Sequence, residues 1–247
     1  RRQRQMCIRD SILPEGRKIG GAPANFAYHM SQFGLRSCAV SAVGDDEAGR
    51  ELRNQLREKG VGHMLETVPF PTGTVEVTLD GAGIPSYEIR QGVAWDNIPF
   101  TPQIEELARH TRAACFGSLA QRSPVSHRTI GRFLETMPDG EGQYKVFDIN
   151  LRQHFYSPEV VHDSLCRSNI LKTNDEELTV VSRMFGIQAQ CRDLLEKYGL
   201  RTVILTCGAV GSHVFTPDGM SYVATPHVEV ADGVGAGDSF TAQIRKE

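Results

Sequence analysis

The stretch Asp232-Gly-Val-Gly-Ala-Gly-Asp238-Ser-Phe-Thr, residues 232–241, combines a glycine-rich loop with the start of a predicted helix. Residues 235–237 are small, so their backbone N–H groups can approach a multiply charged anion, and residues 238–244 contain no proline or glycine. Glycine-rich backbone at a helix N-terminus is a phosphate-binding arrangement. Asp238 would repel a phosphate, so we expect it to take a proton from a hydroxyl group that attacks phosphorus. The alternative is a glycine-rich turn in which Asp238 only caps the helix.

Upstream of this loop, short apolar runs alternate with amphipathic stretches from residue 12 onward. Predicted strands such as Lys145–Ile149 are followed by predicted helices such as Ser157–Cys166. This order predicts an α/β fold with a doubly wound, mostly parallel sheet. Ligands of such sheets bind beyond the carboxyl ends of the strands.

Two segments interrupt the alternation of strands and helices. Residues 73–80 (GTVEVTLD) and 86–90 (SYEIR) alternate apolar and polar side chains with a period of two, and a turn with glycine and proline joins them. This pattern predicts an antiparallel hairpin with two different faces. We expect it to form a small lid, over about residues 73–92, outside the main sheet.

The composition is that of an ordinary globular protein. The chain has 247 residues, of which 40% are hydrophobic and 23% charged, and its formal net charge is −3. This length favours one α/β domain with a small appendage, and the charge gives no reason to expect nucleic acid or an anionic membrane as a partner. The six cysteines are scattered without a C-x-x-C pair, which indicates reduced thiols and a cytoplasmic protein.

Polar residues follow two predicted strands at the edge where ligands bind. Val203–Thr206 leads into Thr206-Cys-Gly208-Ala-Val-Gly211, whose hydroxyl group and glycines suit a nucleotide, although a plain β-turn has the same composition. Lys145–Ile149 leads into Asp148-Ile-Asn150-Leu-Arg152, where Arg152 could pair with a phosphate or a substrate. A salt bridge at the strand end explains Arg152 equally well.

Two helix starts carry further candidate ligands. Asn174 and Glu177 are three residues apart and therefore share one face of a helix start. They could hold a hydrated Mg²⁺ near phosphates, or they could form a capping box. The segment Gly20-Gly21-Ala-Pro-Ala-Asn25 opens another helix, where Asn25 presents an amide to sugar hydroxyls. Neither G-x-G-x-x-G after the first strand nor G-x-x-x-x-G-K-[ST] occurs, which disfavours dinucleotide and Walker-type sites.

Together these segments resemble the ribokinase-like (PfkB) carbohydrate kinases, and most of all their bacterial fructokinase branch. The segments that carry the resemblance are GGAPAN (20–25), VGDDEAG (43–49), N-x-x-E (174–177), TCGAVG (206–211) and DGVGAGDSF (232–240). The resemblance runs from about Leu13 to Ala242 and implies a doubly wound domain with a β-clasp lid. It also implies transfer of the γ-phosphoryl group of MgATP to a sugar, with fructose as the first candidate.

The resemblance implies a role for each matching position. The positions are Asp238 for the catalytic base; Gly235, Ala236 and Gly237 for the anion hole; Asn174 and Glu177 for Mg²⁺ and phosphate; Thr206, Gly208 and Gly211 for the nucleotide; Gly20, Gly21 and Asn25 for the sugar; and Asp232 for a monovalent cation such as K⁺. Glu177 would act on Mg²⁺ through water. The expected partners are ATP and a small sugar, and a homodimer through the lid is compatible with this assignment.

Both ends of the chain depart from the family pattern. Residues 1–11 are basic and lack a hydrophobic pattern, so we expect a non-native tail that takes no part in the fold. The kinase domain would then span residues 12–247, with its C-terminal part missing. Relatives end their first strand in a sugar-binding aspartate, whereas here that register falls near Ser11, with Asp10 one place off.

Two other functions stay open at this point. One is a kinase of the same family that acts on a 2-keto-3-deoxy sugar acid or a nucleoside, in which Arg152 could pair with a substrate carboxylate. The other is a catalytically silent module that binds a sugar or a nucleotide.

Overall fold

The computed structural model describes residues 2–6, 9–13, 16–79, 85–186, 190–226 and 236–242, and the side chains of residues 21–74, 89–186, 190–226 and 237–242. In chain order the described strands are β1 (Arg2–Met6), β2 (Arg9–Leu13), β3 (Gly16–Gly20), β4 (Arg36–Val43), β5 (His63–Thr67), β6 (Thr74–Leu79), β7 (Pro85–Ile89), β8 (Ala113–Phe116), β9 (Tyr144–Asp148), β10 (Ile170–Asn174), β11 (Thr202–Thr206), β12 (Gly211–Thr216) and β13 (Gly219–Ala224). The described helices are α1 (Ala22–Gln32), α2 (Glu47–Glu58), α3 (Pro102–Arg109), α4 (Pro124–Thr136), α5 (Pro158–Arg167), α6 (Asp175–Phe185), α7 (Cys191–Tyr198) and α8 (Ala236–Ala242).

The main sheet has nine strands within the described residues, in the order β13-β12-β11-β10-β9-β8-β1-β4-β5. All neighbouring pairs from β5 to β11 are parallel, and β11, β12 and β13 pair antiparallel. The predicted α/β fold with a mostly parallel sheet is therefore confirmed. β8 is apolar because both faces of the sheet are covered there, and all four of its residues are buried.

The first strand corrects one expectation. β1 lies inside the sheet and pairs in parallel with β4 and β8, and β2 also belongs to a sheet. The expectation that residues 1–11 take no part in the fold is therefore wrong. A strand between two neighbours satisfies backbone N–H and C=O groups on both sides, whatever its side-chain pattern, so the lack of an apolar run was misleading. Whether these residues are native stays a prediction.

The lid is a second sheet of four strands in the order β3-β2-β6-β7. β6 and β7 pair antiparallel where the hairpin was expected, with Val75 opposite Ile89. The sequence did not identify β2 and β3 as strands, and they extend the lid beyond a simple hairpin. Residues 80–84, at the hairpin turn, lie outside the described residues.

A hydrogen-bond network around Asp46 joins the main sheet to the lid. The Asp46 carboxylate caps α2 by accepting from Gly49 N at 2.8 Å, and it also accepts from Thr72 N at 2.8 Å and Thr72 Oγ1 at 2.6 Å. Burial by itself would raise the pKa of Asp46, but these hydrogen bonds outweigh it and hold that pKa below its ordinary value. The VGDDEAG segment therefore fixes Thr72, where the chain enters the lid before β6, to the end of β4.

The VAWD segment, residues 93–96, packs under the same end of the lid. Trp95 is 2% exposed and lies against Gly73, and the Arg122 guanidinium stacks on the Trp95 ring at 4.0 Å from its centroid. Arg122 Nε also pairs with Asp96 Oδ1 at 2.8 Å, and both side chains are buried. This cluster leaves no room for a larger residue at Gly73, just before β6.

None of the described helices is long and apolar enough to cross a membrane.

We predict that Gly73→Ala lowers the free energy of unfolding by about 1–3 kcal/mol, the usual cost of overpacking a core. A methyl group at Gly73 would overlap the indole ring of Trp95, which is buried and cannot move aside. Urea unfolding followed by the fluorescence of the one tryptophan in the chain measures the change. Gly219→Ala is the matched control because a methyl group there meets nothing within 4 Å. Equal stabilities for the two variants would contradict the packing argument.

Candidate active site

The two segments predicted to bind sugar and phosphate meet in the structure. Asn25 Nδ2 of α1 donates a hydrogen bond of 2.9 Å to Asp238 Oδ2 of α8, across 213 residues of sequence. Gly21 precedes α1 with φ of 101°, a conformation that glycine adopts without strain and that starts the helix at this point. The first turn of α1 therefore presents Asn25 to Asp238.

Asp238 lies half-buried at the start of α8. Burial raises the pKa of its carboxyl group; the Asn25 hydrogen bond opposes this, Asp148 adds to it, and Lys172 and Arg152 oppose it, with a net pKa above the ordinary value. A carboxylate with a raised pKa is a stronger base than a free aspartate. The position predicted to accept a proton therefore has the electrostatics for that task.

Asp148 of β9, Lys172 of β10 and Thr241 of α8 form a connected group beside this carboxylate. Lys172 Nζ pairs with Asp148 Oδ1 at 3.0 Å, and Asp148 Oδ2 accepts from Thr241 Oγ1 at 2.8 Å. No role was predicted from the sequence for Lys172 or Thr241. A lysine inside the apolar strand Ile-Leu-Lys-Thr was the available signal, because a buried lysine needs a partner.

Arg152 follows the end of β9 and is exposed. Its charge is close enough to oppose the raised pKa of Asp238. Asn150, two residues earlier, has φ of 43°, a left-handed conformation that is uncommon outside glycine. Such backbone is often found at functional sites.

Asn174 and Glu177 form a capping box at the start of α6. Asn174 Oδ1 accepts from Glu177 N at 2.7 Å, and Glu177 Oε2 accepts from Asn174 N at 3.0 Å. Glu177 Oε1 accepts from Leu151 N at 3.1 Å, which ties α6 to the loop after β9. Burial raises the pKa of Glu177, partly offset by the Asn174 hydrogen bond and by Lys172. The capping box, one of the two alternatives for Asn174 and Glu177, is therefore present in the structure.

The capping box still fits an indirect contact with a metal ion. Each Glu177 oxygen accepts one backbone hydrogen bond, and a carboxylate oxygen can accept about two. A water molecule can use the remaining capacity. No group of three histidine, cysteine or acidic side chains suited to a metal lies among the described side chains.

The loop after β11 lies beside the capping box. Thr206 is in register with Asn174 on the neighbouring strand. Cys207 N bonds Gly211 O at 2.8 Å and closes the loop, Gly208 has φ of 53°, and Thr225 Oγ1 donates to Gly208 O at 2.8 Å. The predicted nucleotide positions thus form one compact loop next to α6.

The structure brings together Asn25, Asp238, Gly237, Arg152, Asn174 and Glu177, with the loop of Thr206, Gly208 and Gly211 alongside. Asp232 and Gly235 lie outside the described residues. Ala236 begins α8, and Gly20 ends β3; the structure describes their backbone.

Comparison with known proteins gives three findings. A family model described as pfkB family carbohydrate kinase matches residues 16–244. The aminoimidazole riboside kinase of Salmonella typhimurium is 27% identical over 91% of this chain and 72% of its own, and a fructokinase of Klebsiella pneumoniae is 29% identical over 94% and 79%. The crystal structure of a fructokinase with bound ATP from Xylella fastidiosa superposes with a TM-score of 0.82 at 20% identity, over 98% of this chain and 79% of that one. This last likeness is one of fold.

We predict that Glu177→Gln destabilises the protein by about 1–3 kcal/mol, because one of two buried backbone N–H groups would face an amide NH₂ instead of an acceptor. Urea unfolding compared with the wild type measures the loss. Glu176→Gln, at the exposed neighbouring position, is the matched control and should change stability by less than about 0.5 kcal/mol. A Glu177→Gln variant as stable as this control would mean that the capping box adds nothing.

Proposed function

Because the chain belongs to the pfkB family of carbohydrate kinases, we propose that it transfers the γ-phosphoryl group of ATP to a primary hydroxyl group of fructose. The observation that carries this proposal is the 2.9 Å contact between Asn25 and Asp238. It joins the predicted sugar-binding segment to the predicted base. A kinase needs this juxtaposition because the acceptor hydroxyl must lie beside the group that takes its proton.

Asp238 is the group that we assign to proton transfer. The hydroxyl oxygen forms a new bond to the γ-phosphorus, the bond from that phosphorus to the β–γ bridging oxygen breaks, and ADP leaves with the electron pair. The hydroxyl proton passes to the Asp238 carboxylate. Asn25 holds Asp238 Oδ2, so we assign Oδ1 to the transfer.

The negative charge on the transferred phosphoryl group is stabilised best by hydrogen-bond donors that are already in place before the reaction. We assign this role to the backbone N–H groups of residues 235–237 and to the exposed guanidinium of Arg152. Gly237 is exposed at the start of α8, where its backbone can meet a ligand. Mg²⁺ carried by ATP would supply neutralisation of the β- and γ-phosphate oxygens, and Glu177 would orient its water ligands from the capping box.

The choice of fructose rests on the resemblance of segments such as GGAPAN to the fructokinase branch and on relatives named fructokinase at 27–29% identity. Arg152 favours a second candidate, an acidic sugar whose carboxylate it could pair with, and a relative named aminoimidazole riboside kinase keeps a riboside among the candidates. A silent binding module is disfavoured by the buried environment that raises the pKa of Asp238. A cation at Asp232, a cytoplasmic location and a dimer through the lid stay predictions.

We predict that Asp238→Asn lowers kcat by about 10²–10⁴, the usual contribution of general-base assistance, while Kd for ATP changes little. Single-turnover kinetics and calorimetry measure the two quantities. Asp218→Asn, in the exposed turn between β12 and β13, should behave as the wild type. A loss below about tenfold would remove Asp238 from the role of base.

We also predict that kcat/KM is highest for fructose in a panel with ribose, adenosine, aminoimidazole riboside, fructose 6-phosphate and 2-keto-3-deoxygluconate. A coupled assay for ADP release measures all six. Preference for the keto-deoxy acid, together with its loss in Arg152→Met, would establish the second candidate. No turnover with any member would contradict the proposed function.

A further inference from the structure

Lys172 is a buried cation that the mechanism above does not use. Its side chain is 10% exposed, that of its partner Asp148 is 5% exposed, and their charged atoms lie 3.0 Å apart. Burying an ion pair costs desolvation free energy on both sides, so it is poor evidence for a role in stability alone. The position of this pair suggests another role.

The pair lies directly beneath the first turn of α8. A methyl group built at Gly237 would be 3.3 Å from Lys172 Nζ. Asp148 reaches the same helix through Thr241 Oγ1, which donates to Asp148 Oδ2 at 2.8 Å and also lies 2.8 Å from Gly237 O. Strands β9 and β10 thus hold the turn that carries Asp238.

Three carboxylates surround this single buried ammonium group. Asp148, Glu177 and Asp238 all interact electrostatically with Lys172. Without that positive charge, Asp148 would still raise the pKa of Asp238, and the Asn25 hydrogen bond and the exposed Arg152 would be left to oppose it. Like charges in a buried site favour a protonated carboxyl group, which cannot accept a proton.

We propose that Lys172 is a positioning residue of the kinase reaction: held by Asp148 under the first turn of α8, its ammonium group keeps Asp238 in place and in its charged form. The inference rests on the proposed function, in which Asp238 is the base. Lys172 acts through Asp238 and Gly237 rather than on the substrate.

The electrostatic directions agree with this assignment. Burial alone would lower the pKa of Lys172, but the ion pair and hydrogen bond with Asp148, together with the charges of Glu177 and Asp238, outweigh it, so that pKa lies above its ordinary value and the ammonium group stays charged. Burial raises the pKa of Asp238; Asp148 raises it further and Lys172 lowers it. The two partners of one ion pair therefore act on Asp238 in opposite directions.

The other titratable groups around Asp238 come from four packed elements. β9 contributes Asp148 and the loop after it Arg152, β10 contributes Lys172, and α6 contributes Glu177, which acts through Lys172. α1 packs on α8 and contributes the neutral Asn25, with Tyr28 and His29 as its titratable residues.

The test measures the titration of Asp238 directly, by carboxyl ¹³C NMR of protein labelled at aspartate, with Asp238→Asn to assign the signal. In Lys172→Met the titration should move to higher pH, because a cation is lost. In Asp148→Asn it should move to lower pH, because an anion is lost. Lys145→Met is the matched control: Lys145 lies on β9 but pairs with the exposed Asp139, and it should leave the titration unchanged.

A structural role alone would not produce shifts of opposite sign. An unchanged titration in Lys172→Met, or shifts of the same sign in both variants, would overturn the proposal. Lys172→Met leaves the buried Asp148 carboxylate without its counter-ion and so could fail to fold. In that case Asp148→Asn is compared with the double variant Asp148→Asn/Lys172→Met. Asp238 should titrate at higher pH in the double variant than in Asp148→Asn. Equal pKa values of Asp238 in the two variants would overturn the proposal.

The pH dependence of kcat with fructose is the kinetic readout. The rate requires the ionised Asp238 carboxylate, so kcat should fall on the acid side of the pH profile as that group is protonated. This fall should move to higher pH in Lys172→Met and to lower pH in Asp148→Asn. At a pH below the fall, a displacement of one pH unit changes the rate tenfold. The KM for ATP should change less than kcat. If the wild-type protein phosphorylates no sugar of the panel, the proposed function fails, while the NMR titration still decides how Lys172 acts on Asp238. If the protein phosphorylates a sugar but the Asp238 titration is unchanged in Lys172→Met, this inference alone is overturned and the proposed function stands.

Discussion

Parallel pairing of strands is the constraint on which the site depends. Because β8, β9, β10 and β11 run in the same direction, their carboxyl ends meet at one edge of the sheet. Asp148, Asn174 and Thr206, which are far apart in sequence, therefore become neighbours at that edge. α8 returns to the same edge and adds Asp238 to them, so that the candidate base and the candidate nucleotide loop share one surface.

Two carboxylates of the sequence motifs hold separate segments of the structure together. Glu177 caps α6 and reaches the loop after β9, and Asp46 caps α2 and binds the lid entrance. Both carboxylates satisfy backbone N–H groups that would otherwise be buried without partners, a condition that costs more than an ordinary hydrogen bond contributes. The same residues thus set the positions of the loop after β9 and of the chain at Thr72, where it enters the lid.

The electrostatics of the site come from a small number of buried charges. Asp148, Glu177 and Asp238 would repel one another if Lys172 did not lie among them. The carboxyl groups of Glu177 and Asp238 both have raised pKa values because burial dominates over their hydrogen bonds. Asp238 must be ionised before it can accept a proton, and whether it is ionised depends on the opposing effects of these neighbouring charges on its pKa.

The sequence by itself determined the α/β class, the β6–β7 hairpin and the segments of the site. Glycine-rich turns, strand-end polar residues and the period of apolar residues are local features, and they can be identified without knowing what each segment contacts. Only the tertiary structure decided that β1, which has no apolar pattern, lies inside the sheet between β8 and β4, because its side chains do not reveal that its backbone pairs with two neighbours. It also decided that Lys172 and Thr241 belong to the site. Their importance depends on distances to Asp148 and Gly237 that arise when β9, β10 and α8 pack together, and those distances have no counterpart in the spacing of residues along the chain.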